Sequence, residues 1–146
     1  MSKKFVVDSC VFAKLFLNES DRSKAIKFFN EILENRYQIF VPSIFTYEIF
    51  NICSSQNLDE ELVFSMLGKY HAYGMQIVNP SESLLRKAIK MTKNGSRKSG
   101  YPSLYDCSYH ALAIDLDCQF ITSDLKHISK AREFGSIKSL DEIYDE

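Results

Sequence analysis

The chain lacks long apolar runs, a strong charge of either sign, closely spaced cysteines and internal repeats. No apolar stretch approaches the ~20 residues of a membrane-spanning helix, which excludes an integral membrane reading. Lys3 and Lys4 precede an apolar run, but Asp8 and Lys14 interrupt it, so it makes a poor signal peptide. The net charge is −1, from 18 basic and 19 acidic residues. A protein that coats nucleic acid is usually strongly basic, so the global charge neither announces nor excludes RNA binding, and an enzyme that handles a strand briefly needs only a local basic patch. The four cysteines, Cys10, Cys53, Cys107 and Cys118, have neither zinc-ligand nor disulfide-framework spacing. They read as small core hydrophobes with free thiols in a reducing cytoplasm. Only five glycines and three prolines are present, and no low-complexity tract.

What is present fits one domain spanning residues 1–146. A chain of this length buries roughly two thirds of its unfolded surface and needs no disulfide or structural metal to hold a core. Short apolar runs alternate with stretches of helical periodicity. Phe5-Val6-Val7, Gln38–Val41, Gln76-Ile77-Val78 and Phe120-Ile121-Thr122 predict strands, with an edge strand near Ile137. Helices are predicted from Cys10 to Leu17, Arg22 to Asn35, Ser43 to Ser54, Asp59 to Tyr73, Ser81 to Asn94 and Ser103 to Leu116. Ser43, Ser81 and Ser103 are the expected N-caps. Strands separated by one or two helices imply a three-layer α/β/α sandwich with a short, largely parallel central sheet.

Such a sheet sorts the acids by position. Ligands bind beyond the carboxyl ends of parallel strands, and the N-termini of the intervening helices share that edge. Asp8 follows the first strand directly, and Asp124 follows Thr122 by two residues. Asp106 falls in the first turn of its helix. Glu48 lies about 7 Å along the axis from its helix start at ~1.5 Å per residue. All four are predicted on one edge. Asp8, Glu48 and Asp106 are embedded in apolar neighbours, a costly setting for a carboxylate without a pair, hydrogen bonds or a metal. The chain supplies few nearby cations for pairing. Clustered carboxylates are hard oxygen ligands of the kind Mg²⁺ and Mn²⁺ take. Taken singly, Asp8 also reads as a helix cap, Asp106 as a favourable dipole partner, Glu48 as a helix-surface acid and Asp124 as a turn residue.

These motifs carry a family resemblance. Phe5-Val6-Val7-Asp8-Ser9, Pro42-Ser43 with Glu48, Ser103-Leu104-Tyr105-Asp106 through Ala113, and Phe120-Ile121-Thr122-Ser123-Asp124 together resemble the ordered acidic motifs of PIN-domain ribonucleases, above all the VapC-type toxins of toxin–antitoxin pairs. Two positions depart from that pattern. Cys10 stands where a small hydroxyl or amide residue is common, and Asp117 where a helix-ending glycine is.

The resemblance implies a cytoplasmic, Mg²⁺- or Mn²⁺-dependent endoribonuclease that acts on RNA, forms a homodimer and is inhibited by a small antitoxin. Asp8, Asp106 and Asp124 would be its metal ligands, with Glu48 ligating through water or orienting the attacking water. Ser9 and Thr122 would hold the carboxylates by hydrogen bonds. The alternative is a PIN-fold RNA-binding or scaffolding subunit without nuclease activity. A receiver-type phosphoryl-transfer module is disfavoured, since no strand-end lysine fits one.

Outside the acids, Lys87, Lys90, Lys93, Arg97 and Lys98 form a run free of acids that leads towards Asp106, and Lys126 follows Asp124. These read as a solvated helix face or as an RNA-backbone track. Lys130, Arg132 and His127 invite the same second reading, although His71, His110 and His127 read first as ordinary surface or core histidines. Tyr101 and Tyr105 read as packing residues, with base stacking as the alternative. Apolar residues on several faces of the helices bearing Tyr47, Phe50, Leu62 and Phe64 suit a subunit or antitoxin interface.

Overall fold

Near-continuous apolar runs form the central strands, which are buried on both faces as in other parallel sheets. The structure, a computed structural model, describes residues 3–96 and 98–144. Strand β1 (Lys4–Val7) sits at the centre, flanked by β2 (Gln38–Pro42) and β4 (Gln119–Thr122), with β3 (Gln76–Val78) and β5 (Ile137–Ser139) outermost. The order is β3-β2-β1-β4-β5, and every pairing is parallel. Val6, Val7, Val41, Phe120 and Ile121 are buried in it. The largely parallel sheet expected from the sequence is therefore parallel throughout, and the edge strand near Ile137 is present.

The flanking helices are α1 (Ser9–Ala13), α2 (Arg22–Asn35), α3 (Ile44–Ser55), α4 (Glu60–Ala72), α5 (Glu82–Thr92), α6 (Leu104–Asp115), α7 (Leu125–Ala131) and α8 (Leu140–Ile143). Helix α6 lies across β1, β2 and β4 and buries Cys107 and Tyr109 to Ala113. Helix α5 packs on α6 through a separate small cluster of Ala88, Met91, Cys107 and Ala111. No helix among the described residues is long and apolar enough to cross a membrane.

Local signals succeed unevenly. Ser81 and Ser103 cap α5 and α6, accepting from the Leu84 and Asp106 amides. Ser43 does not cap α3; its backbone is already helical and its hydroxyl makes no cap bond. Helix α1 is one short turn rather than the predicted run to Leu17. Asp117 adopts φ +53°, the left-handed conformation that favours glycine, so the departure noted in sequence falls where the backbone would prefer glycine. The loop after α5 needs Gly95, since a Cβ there would stand 2.4 Å from Pro102 Cδ. That loop is tied to α7 by the Ser96 amide donating to the Lys130 carbonyl.

Phe12 organises the packing behind the first acid. Its ring meets Phe16, Phe29, Phe45 and Tyr70 at centroid distances of 5.5–5.6 Å, joining α1, α2, α3 and α4. Phe12→Ala is expected to lower the unfolding free energy by about 3–5 kcal/mol, measured by urea denaturation. A loss below about 1 kcal/mol would show that this cluster does not anchor α1.

Candidate metal centre

Asp8 ends β1 at the point where the ladder to β4 closes. Its amide donates to the Ile121 carbonyl at 2.9 Å, and its carbonyl accepts from the Val11 and Phe12 amides, starting α1. Asp8 thus occupies the cap position, but its carboxylate makes no cap bond. Instead Oδ2 accepts from the Thr122 hydroxyl at 2.7 Å and Oδ1 from the Ser9 hydroxyl at 3.3 Å. The Thr122 oxygen also accepts from the Asp124 amide at 3.0 Å. Ser9 and Thr122 therefore stand where their hydroxyls hold Asp8, with Thr122 linking it to Asp124.

Asp124 is the side-chain cap of α7, its Oδ1 accepting from the Lys126 and His127 amides. Asp106 sits in the first turn of α6. Glu48, in the second turn of α3, accepts from the Tyr109 phenol at 2.5 Å. The four acids line one cavity of ≈ 470 Å³, together with Ser9, Cys10, Lys14, Glu19 and Ser123. Four elements separated in sequence thus deliver their acids to a common space.

Burial is the largest influence on three of these acids. It pushes Asp8 up to about 6, opposed by the Thr122 hydrogen bond and reinforced by the charges of Asp106 and Glu48. Glu48 is raised by burial, against the pull of the Tyr109 and Ser9 hydroxyls, with Asp106 adding repulsion. Asp106 is raised by burial; Ser103 opposes, Asp124 reinforces and Lys130 opposes. The Tyr109 phenol is itself pushed up by burial and by Asp8 and Glu48, so it keeps its proton and remains the donor to Glu48.

Two features escaped the sequence reading. Lys14 is a cation within the acid cavity, its side chain only 6% exposed and paired with Glu19 at 2.8 Å and Asp21 at 2.9 Å. The visible signal was a lysine inside an apolar run with acids five and seven residues on. The second is a buried histidine pair. His110 Nε2 lies 2.6 Å from the Gly135 carbonyl and His110 Nδ1 lies 3.2 Å from His127 Nε2. A carbonyl only accepts, so His110 carries its proton on Nε2 and accepts from His127 Nε2–H. His127 Nδ1 is then a bare lone pair, 3.9 Å from Asp106 Oδ2 and without a hydrogen-bond partner.

His127 is therefore no backbone-tracking residue: it is buried under the acids. Of the expected basic track, Lys87 is paired with Asp115 at 2.6 Å. Lys90, Lys93, Lys98 and Lys126 are exposed, and Arg97 lies outside the described residues. Tyr101 and Tyr105 are exposed rather than packed.

The donor set suits a hard divalent cation. It offers carboxylate oxygens that repel one another, and two buried polar atoms without partners, Ser123 Oγ and His127 Nδ1, stand ready for ordered water. Among the described residues no three His, Cys, Asp or Glu side chains already stand together as a metal-holding group. Carboxylates of like charge in low dielectric keep apart when no cation lies between them.

A PIN-domain model matches residues 5–133, and the chain belongs to the PIN-domain family. Solved structures of similar fold include VapC20 of Mycobacterium tuberculosis, a sarcin–ricin loop cleaving toxin. It is 11% identical at TM-score 0.63, over 79% of this chain and 85% of that one. VapBC2 from Rickettsia felis, bound to a promoter DNA fragment, is 13% identical at TM-score 0.67, over 93% and 98%. DNA-bound VapBC from Salmonella typhimurium is 16% identical at 0.65, over 96% and 99%. No curated protein sequence matches significantly.

The site makes opposed contributions to pH stability. Asp8 is raised from 3.8 to about 6, so its stabilising contribution is present below 3.8 and is lost as pH rises through 6, on the order of 3 kcal/mol by pH 7. His110 and His127 are lowered by burial from 6.5 to about 4; their contribution is present above 6.5 and is lost as pH falls towards 4. Asp8→Asn should therefore stabilise the protein at pH 7 by up to about 3 kcal/mol, lose that advantage near pH 4, and steepen the acid-side decline. Parallel stability profiles for variant and parent would refute this electrostatic account.

Proposed function

We propose that this chain is a divalent-metal-dependent endoribonuclease, the toxin of a toxin–antitoxin pair, using Mg²⁺ or Mn²⁺. The observation that carries the reading is the convergence of Asp8, Glu48, Asp106 and Asp124 on one cavity at the carboxyl edge of the sheet. The solved VapBC assemblies support the partner assignment, since their VapC chains share this fold.

In this reading Asp8, Asp106 and Asp124 hold the cation, with Thr122 and Ser9 fixing the Asp8 carboxylate. When bound, the ion would supply an activated water and neutralise charge on the scissile phosphate. Glu48, anchored by the Tyr109 phenol, would orient the attacking water, and its upward-shifted pKa suits a general base. His127, through its Nδ1 lone pair, accepts a hydrogen bond from water beside Asp106. Lys90, Lys93, Lys98 and Lys126, with Lys87 and Arg97, guide the RNA backbone towards the acids. Tyr101 and Tyr105, both exposed, would stack on unpaired bases.

The assembly is a homodimer that also binds a small antitoxin. Exposed Tyr47, Leu62 and Phe64 on α3 and α4, and Leu85 and Ile89 on α5, supply apolar surface for these contacts.

Mn²⁺ or Mg²⁺ should raise the melting temperature, equivalent to about 2.7 kcal/mol at a hundredfold excess over Kd. Asp106→Asn should abolish both that shift and cleavage of single-stranded RNA. Glu48→Gln should keep the metal shift while slowing cleavage by roughly 10²–10⁴-fold. RNA binding without any cleavage by the purified parent would assign the chain to non-catalytic RNA-binding subunits instead. Sedimentation as a monomer at micromolar concentration would remove the dimer and leave the catalytic assignment standing.

A further inference from the structure

We propose that Lys14 receives a backbone phosphate of the RNA strand inside the acid cavity, and that Glu19 and Asp21 occupy its ammonium as an internal substitute until the strand enters. The inference rests on the ribonuclease reading and names a substrate contact that the acidic motifs do not contain.

The cavity is strongly negative. Among the described residues it is lined by five carboxylates, Asp8, Glu19, Glu48, Asp106 and Asp124, and by one cationic side chain, Lys14. A phosphodiester entering that space is repelled from every side, and a single divalent ion leaves the surroundings negative. A positive group already in the wall, in a setting where Coulomb forces are weakly screened, is what the substrate lacks elsewhere in the cavity.

Lys14 is held in place while its acidic partners are free to leave. The lysine stem is fixed: Lys14 follows α1 directly, and its backbone amide donates to the Val11 carbonyl at 3.2 Å. Its partners are on the other side of the exchange. Glu19 and Asp21 lie on the turn between α1 and α2, and their side chains are 43% and 28% exposed. Water can take over their solvation when they leave, whereas a buried ammonium left alone is strongly destabilised. The pairing is therefore one in which the acids exchange and the lysine stays.

The donor count of the ammonium matches a phosphate. An ammonium has three donors, and two carboxylate oxygens, Glu19 Oε2 and Asp21 Oδ1, take two of them at 2.8 and 2.9 Å. Two non-bridging phosphate oxygens satisfy the same pair of donors. The two acids carry more charge than the lysine needs, so replacing them with a singly charged diester lowers the local excess of negative charge.

The experiment compares the full-length parent with Lys14→Met, Lys14→Arg, the double variant Glu19→Gln/Asp21→Asn and that double variant carrying Lys14→Met. A fluorescent single-stranded RNA oligonucleotide is titrated without divalent cation at three salt concentrations. Cleavage is followed with Mn²⁺, and melting temperatures are recorded. Lys14→Met should weaken binding several-fold and flatten the salt slope by about 0.7, the value of one lost contact to a single strand. Lys14→Arg should bind as the parent does. The Glu19/Asp21 double variant should bind RNA more tightly than the parent, even though its melting temperature falls because the buried ammonium has lost its partners.

A clamp serving only the fold predicts that the acid variant's gain, which then comes only from its two lost negative charges, persists unchanged when Lys14→Met is added to it. That result overturns the proposal, as does an unchanged salt slope in Lys14→Met. If Lys14→Met alone fails to fold, the same substitution in the Glu19→Gln/Asp21→Asn background, where no acid is left unpaired, decides by whether affinity and salt slope fall. A parent that neither binds nor cuts RNA removes the ribonuclease reading and this contact with it. A parent that cuts RNA while the double variant binds no better than it removes this contact only.

Discussion

Everything at the acidic edge depends on one hydroxyl. Thr122 Oγ1 donates to Asp8 Oδ2 at 2.7 Å and accepts from the Asp124 amide at 3.0 Å, joining the ends of two strands 114 residues apart in sequence. The bond exists because β1 and β4 run parallel in a fixed register, Val7 opposite Ile121, with the Asp8 amide continuing the ladder. A slip of one residue would turn Thr122 to the other face of the sheet and release both acids. The apolar runs that bury this central pair on both faces therefore also set the register that aligns the acids.

The second constraint is electrostatic. Asp8, Glu48 and Asp106 are all shifted upward, chiefly by burial and further by neighbouring carboxylates: Asp106 and Glu48 act on Asp8, Asp106 on Glu48, and Asp124 on Asp106. The fold offsets this cost with hydrogen bonds to the charged forms: Thr122 and Ser9 on Asp8, Tyr109 on Glu48, and backbone amides on Asp124. Those donors hold the carboxylates without neutralising them. A cavity built this way carries a standing demand for positive charge, met in part by Lys14 at its wall and by Lys130 near Asp106.

Beneath the acids, the histidine pair makes an uncommon floor. A core at this depth is normally filled by apolar side chains, yet His110 and His127 run from the Gly135 carbonyl towards Asp106. Both are held neutral by burial, so the pair adds polarity without adding charge. Its bare nitrogen faces a carboxylate, which leaves room for a shared proton donor such as water and for no direct bond between them.

The sequence by itself determined the elements and the edge on which the acids fall. Short apolar runs become strands because each must bury two faces, and Ser81 and Ser103 cap because a hydroxyl at that position satisfies an otherwise unpaired amide. Those are local causes, readable within a few residues. What the tertiary structure alone decided depends on residues far apart in the chain. Asp8 could have capped α1, but Thr122 takes its carboxylate; Ser43 looks like a cap, yet its backbone is drawn into the helix while its amide donates to the Val78 carbonyl. Lys14, His110, His127 and Tyr109 look like ordinary members of apolar helices until packing brings Asp21, Asp106 or Glu48 against them. Periodicity records how much surface a residue must bury, whereas the polar atom that will meet it there is set by which helix crosses which strand.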